Sequence, residues 1–459
     1  MKNFLTVLLL FSLTISSQAQ NEDSIVIRKI FDEALQNGKA YDHLKVLCKN
    51  IGHRLSGSPQ AAEAVKWAEK AMADFGADTV FKKDVMVPHW DRGAKEKAEI
   101  FPSKSRNIIP LNVLALGGSV GTDKGPLLTQ VIEVKSLASL DSIPAKDIKG
   151  KIVFLNEHMD AKYVNTFEAY DHAFMIRWAC ARKTAPLGAV AVIIRSVNPS
   201  LDDFPHTGVM SYADTIKKIP ACAISTNDAD KLSALLKKDP LLKIKLEMHC
   251  RMLPDAASHN VVGQLNGTAL KDKYLVVGGH LDSWDTGEGA HDDGAGVVQS
   301  MEVLNLLKKA GVVPKHNIRA VAFMNEENGN RGGIEYAELA QKNNEKHIAA
   351  IESDAGGFTP RGFFMKGDSL QRNKILAWKP LFAPYFIHSF ELEGGGVDIG
   401  PLRKKQNTFL MGLLPDTQRY FDIHHSPNDV FENINRRELE LGAATMAAMI
   451  YLIDKYGLE

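Results

Sequence analysis

The chain has 459 residues, 55 basic and 55 acidic, with 45% hydrophobic and 24% charged residues, a composition that excludes collagen-like, coiled-coil and largely disordered classes. A formal net charge of zero argues against a nucleic-acid partner, whose phosphates call for clustered Lys and Arg. Four Cys are too few for a disulfide scaffold, which leaves a sizeable folded, soluble protein.

Residues 1–20 read as a cleaved signal peptide: Lys2 precedes an apolar run over 4–15, and Ser16-Ser-Gln-Ala-Gln20 supplies the small residues a signal peptidase accepts, after Ala19 or Gln20. The run is shorter than the roughly 20 residues a membrane anchor needs, and no later stretch is long and apolar enough. The expectation is an exported protein, secreted or periplasmic, without a membrane anchor. Cys48, Cys180, Cys222 and Cys250 then either pair or remain buried thiols, and the spacing does not decide between them.

Ser58-Pro59 predicts a helix start, with Ser as N-cap and Pro in the first turn. Ala61, Ala64, Val65, Ala68, Ala71 and Met72 follow on one helical face as core. Residues 119–250 hold short apolar runs, 151–155 and 189–194, but no ligand cluster, and read as an inserted accessory domain between catalytic segments 21–118 and 251–459. Strands are predicted at 274–277, 318–324, 348–351 and 408–414, helices at 294–309, 332–342 and 436–456. Their alternation predicts an α/β sheet with helices on both faces.

In such sheets ligands bind beyond the carboxyl ends of strands, and there the polar residues gather. The first strand runs into Gly278-Gly-His280-Leu-Asp282-Ser-Trp284, followed by Asp292-Asp293-Gly294. The next runs into Asn325-Glu326-Glu327, another into Glu352-Ser-Asp354-Ala, and late in the chain stands His424-His425-Ser-Pro. Each alone is an ordinary loop or turn. Together, His280, Asp292, Glu327, Asp354 and His425 are the imidazoles and carboxylates that a pair of zinc ions accepts. One shared carboxylate gives each ion three contacts and leaves room for a water between them. Glu326 stays free to act as a base.

The ordered series resembles the co-catalytic zinc exopeptidase superfamily, and within it the plasma glutamate carboxypeptidase, or carboxypeptidase Q, type. The resemblance extends to Ile51-Gly-His-Arg-Leu-Ser-Gly-Ser58 and Leu114-Ala-Leu-Gly-Gly-Ser-Val-Gly-Thr122, and so covers nearly the whole mature chain. It implies a mixed-sheet zinc exopeptidase fold with a smaller α/β protease-associated domain inserted over 119–250, two Zn2+ per chain, peptide substrates and a homodimer. His280 and Asp354 would hold one zinc, Glu327 and His425 the other, with Asp292 bridging and a cis peptide at Asp292–Asp293. Glu326 would be general base and then general acid, and Asp282 would fix the His280 tautomer through its second ring nitrogen. His424 stands where some relatives place an oxyanion-steadying Tyr. Asp398, in Gly394-Gly-Gly-Val-Asp398, resembles a substrate-binding loop and would meet a peptide's free amine. His206 is a candidate to reach the site from the insertion.

The expected function is therefore hydrolysis of dipeptides or short peptides from an end the sequence does not specify. The alternatives are a receptor-like member of the fold without catalysis, which would lack ligands or the Glu base, and a single-zinc glutaminyl cyclase, which would need only one metal.

Overall fold

The computed structural model describes residues 22–122 and 125–458, so the expected leader lies outside the described residues. Seven strands form the sheet that carries the motifs: β1 (Thr79–Asp91), β2 (Arg251–Leu265), β3 (Leu270–His280), β4 (His316–Phe323), β5 (Lys346–Glu352), β6 (Pro360–Lys366) and β7 (Phe409–Pro415). Their spatial order is β1-β2-β4-β3-β5-β7-β6. Strands β4, β3, β5 and β7 run parallel, whereas β1, β2 and β6 are paired antiparallel at the flanks. The sheet is mixed, as expected.

Alternation of side chains explains why both faces are covered. Leu275, Val277, Ile318, Ala320 and Ala322 point into one core, shared with helices Pro59–Asp74, Ala295–Ala310 and Arg436–Tyr456. Val276, Val321 and Phe323 point the other way, onto helices Arg331–Lys342 and Gly400–Gln406. In helix Pro59–Asp74, the Ser58 side chain accepts from Ala61 N, and the buried face is the predicted one: Ala61, Ala64, Val65, Ala68, Ala71 and Met72. From β3 the chain moves to β4 on one side and then to β5 on the other, so β3 marks the topological switch point where a crevice opens.

A second, eight-stranded sheet is ordered Ile109–Leu111, Lys97–Phe101, Lys243–Glu247, Leu127–Val134, Ile152–Leu155, Ala191–Arg195, Ala221–Ile224, Val113–Ala115. The boundary expected at 118/119 therefore cuts through this sheet, whose first strand starts at Lys97. Nor does the sheet stand apart as a separate domain. One of its apolar clusters takes in Phe358, Tyr420 and Phe421, and the other Leu55, Trp90 and Trp284. All four cysteines are buried free thiols. Among the described residues no helix is long and apolar enough to cross a membrane.

Candidate metal centre and active site

His280 ends β3, Asp292 sits in the turn Ala290–Gly294 ahead of helix Ala295–Ala310, Glu327 and Asp354 follow β4 and β5, and His425 follows the short helix Tyr420–Ile423. The fold brings all five together around Asp292. Its Oδ1 lies 3.1 Å from His280 Nε2, which is itself 3.4 Å from Asp354 Oδ1. Its Oδ2 lies 3.2 Å from His425 Nε2, which is 3.1 Å from Glu327 Oε2. Each oxygen of one carboxylate thus faces its own His–carboxylate pair.

Two metal-sized donor groups result: His280, Asp292 and Asp354, and Asp292 with His424 and His425. The His424 Nε2 lies 3.6 Å from Asp292 Oδ2, so His424 shares the second group with His425, on which its ring is stacked at 3.5 Å. The donors suit borderline dications. The buried Asp292 Oδ2 has no hydrogen-bond partner, which fits an atom reserved for a cation.

Charge follows the same pattern. Burial pushes the carboxyls of Glu326 and Glu327 well above the usual range, and the Asp292 charge adds to this in both. Burial would also raise Asp292, but the His280 and His425 rings set against its two oxygens outweigh it and hold this carboxyl well below the usual range. Burial lowers His280, yet Asp354 and Asp292 lift it well above an ordinary imidazole. So dense a set of buried carboxylates attracts positive charge.

Neighbouring groups hold Asp292 in place. The peptide Asp292–Asp293 is cis, as the resemblance implied. The Asp293 carboxylate accepts from His280 N at 3.0 Å and Gly296 N at 2.9 Å. Gly279 and Gly296 make room for it, since a Cβ on either would come within 2.5 Å of an Asp293 oxygen. Asp429 accepts from His291 N and Asp292 N at 2.8 and 3.1 Å. Trp284 donates its backbone N–H to Glu327 Oε1 at 3.2 Å and packs edge-on to His425.

Two expected roles need correction. The His280 Nδ1 donates to the Asp282 backbone carbonyl at 2.9 Å, while the Asp282 carboxylate is 3.9 Å away and accepts instead from Asn325 N and Glu326 N. Asp398 is 1% exposed and does not line the cavity. Gly394 to Val397 and Glu352 do, and Glu352 accepts from Val397 N and Ile399 N.

That cavity, about 430 Å³, opens beside Asp292, Glu326, Asp354 and His424. Its far wall comes from the second sheet's unit, with Phe167, Tyr170 and Arg177. The Arg177 guanidinium lies over the Tyr170 ring. Its Nε has no partner, and its Nη1 is 3.5 Å from His425 Nδ1. Tyr170, Arg177, Glu352 and Asp429 were not assigned from the sequence. Only Glu352 and Asp429 carried a signal, as carboxylates two before Asp354 and four after His425.

Residues 260–450 match the model of peptidase family M28. Carboxypeptidase Q of Xenopus laevis is 34% identical over 93% of this chain and 89% of its own, and the human carboxypeptidase Q is 32% identical over 90% and 85%. Among solved structures, a peptidase M28 precursor from Shewanella amazonensis superposes with a TM-score of 0.89 at 32% identity, covering 95% of this chain and 97% of that one.

Proposed function

We propose, from the premise that this chain belongs to peptidase family M28 and is a di-zinc exopeptidase of carboxypeptidase Q-like activity, that it hydrolyses dipeptides or short peptides whose ends are unblocked. The observation that carries this is Asp292, each of whose oxygens faces one His–carboxylate pair. A cyclase needs one such group, and a receptor-like protein neither.

His280 and Asp354 would hold one zinc, Glu327 and His425 the other, with Asp292 between them. Bound zinc supplies a Lewis acid for the peptide carbonyl and brings the pKa of water towards neutrality. Glu326, facing the cavity with no part in either donor group, takes the water's proton and returns it to the leaving amine. His424, beside Asp292 at the cavity wall, donates to the oxyanion. A free carboxylate end finds Arg177, the cavity's one Arg or Lys among the described residues. An amine end finds Glu352 at the cavity wall.

The second sheet's unit, read as the protease-associated insertion, would cover about 92–250, closing the cavity over small substrates. The leader-like residues 1–20 support export, and the protein would assemble as a homodimer. Zinc-supplemented assays on free, N-blocked and C-blocked dipeptides test the reading. Cleavage of the free dipeptide is expected, with loss on blocking the end the cavity clamps; cleavage of neither free nor singly blocked peptides overturns it.

A further inference from the structure

The two metal-facing histidines are held differently. For His280, the backbone carbonyl that fixes Nδ1 belongs to Asp282, two residues on. For His425 it belongs to Thr207, 218 residues away, at 3.3 Å. With Nδ1–H donating to Thr207, the Nε2 lone pair faces Asp292 and Glu327, the tautomer a metal ligand requires.

The backbone is clasped from the same place. Thr207 N donates to His425 O at 2.9 Å, and the buried His206 ring donates from Nδ1 to His424 O at 2.6 Å. His425 has φ +60°, a left-handed conformation that a non-glycine residue keeps only where its surroundings over-determine it. These two bonds, one at each end of the His424–His425 segment, supply that determination. The clasp is itself fixed to the second sheet's unit. His206 N donates to Ser196 Oγ at 2.8 Å, Thr207 Oγ1 to Ala115 O at 2.7 Å, and Gly117 N to Gly208 O at 2.9 Å.

We infer that His206 and Thr207 are positioning residues for His425, so that the His425 side of the metal pair is completed only where the two sheets' units meet, while the His280 side is built by the catalytic half alone. This rests on the two-metal reading. It makes the insertion part of the metal cage as well as a cover for the cavity.

Zinc content and competition titration of full-length wild type, His206→Ala and His206→Asn test it. Wild type should hold two ions. His206→Ala should keep one at wild-type affinity and bind the other about 10–100-fold more weakly, the scale of losing a ligand's outer partner. His206→Asn, whose amide can donate to the His424 carbonyl, should recover most of the loss. Wild-type affinity for both ions in His206→Ala, or equal weakening of both, overturns the inference. A wild type holding fewer than two ions sinks the two-metal reading and this inference with it. Should His206→Ala fail to fold, hydrogen exchange on wild type decides. By linkage, chelating the metals should speed exchange of the Thr207 amide several-fold and leave Val153, in the same unit, unchanged. An unaltered Thr207 amide overturns the inference.

Discussion

Asp282 grips Glu326: its Oδ1 lies 3.1 Å from the Glu326 nitrogen and 2.7 Å from that of Asn325, but 3.9 Å from the nearest ring nitrogen of His280. The carboxylate therefore braces the loop that carries Glu326 and Glu327, and the His280 tautomer depends on a main-chain carbonyl that no side-chain change removes. Asp282→Asn keeps an acceptor oxygen and should retain both metal content and most activity. Asp282→Ala leaves two buried N–H groups unpaired and should lower turnover about 10–100-fold at full zinc occupancy. Loss of zinc from Asp282→Asn would restore the carboxylate as the partner of the imidazole.

Glu326→Gln separates binding from chemistry. The amide nearly keeps the carboxylate's shape but takes no proton, so the variant should hold two zinc ions and lose about 10²–10⁴-fold in kcat. Turnover above half the wild-type value would remove Glu326 from the reaction.

Asp292→Ala should lower occupancy of both metals together, because each of its oxygens serves one group. Asp354→Ala should weaken chiefly the site of His280, and His425→Ala the other. Asp293→Ala, whose carboxylate binds backbone N–H groups, should cost less metal than Asp292→Ala. Zinc titration of the four variants checks the order, and a reversal between Asp292 and Asp293 would shift the bridge by one residue.

A pair of buried carboxyls outside both donor groups sets a pH response. Glu302 accepts from Lys39 N and Glu440 from Tyr41 N. Burial pushes Glu302 up to about 7 and, with the Glu302 charge, Glu440 up to about 8. Both groups bind a proton more tightly folded than unfolded, so they favour folding below about pH 4 and that contribution is lost as pH rises towards about 8. Glu440→Gln keeps an acceptor for Tyr41 N and removes the charge. It should raise Tm by about 2–4 °C near pH 8.5 and change it little near pH 5. An equal shift at both pH values would show that charge is not the cause.

The candidate ligands His280, Glu327 and Asp354 were legible because each ends or closely follows a buried apolar strand, and β3, β4, β5 and β7 read clearly for the same reason. Strands β1 and β2 did not. Both are half-exposed, each contains a proline (Pro88, Pro254), and the register shifts between Val87 and His89, which obscures the alternation. Arg177 and His206 were illegible as site residues, or only guessed at, because their place depends on how the second sheet packs against the first. No local pattern encodes an approach across 218 residues. The strands ahead of residue 119 were not read because Lys97–Phe101 and Ile109–Leu111 are short and pair with each other, and the next partner of Lys97–Phe101, Lys243–Glu247, comes much later in the chain.

The clasp on His425 also orders events during synthesis. Chains emerge amino end first, so the segment around Thr207 is made before any ligand, and His280, Asp292, Glu327 and Asp354 follow. His425 leaves the ribosome last. A nascent chain can therefore bring the His280 group together while the other still lacks its imidazole, and the finished site waits for a carboxy-terminal segment to dock against residues made long before it.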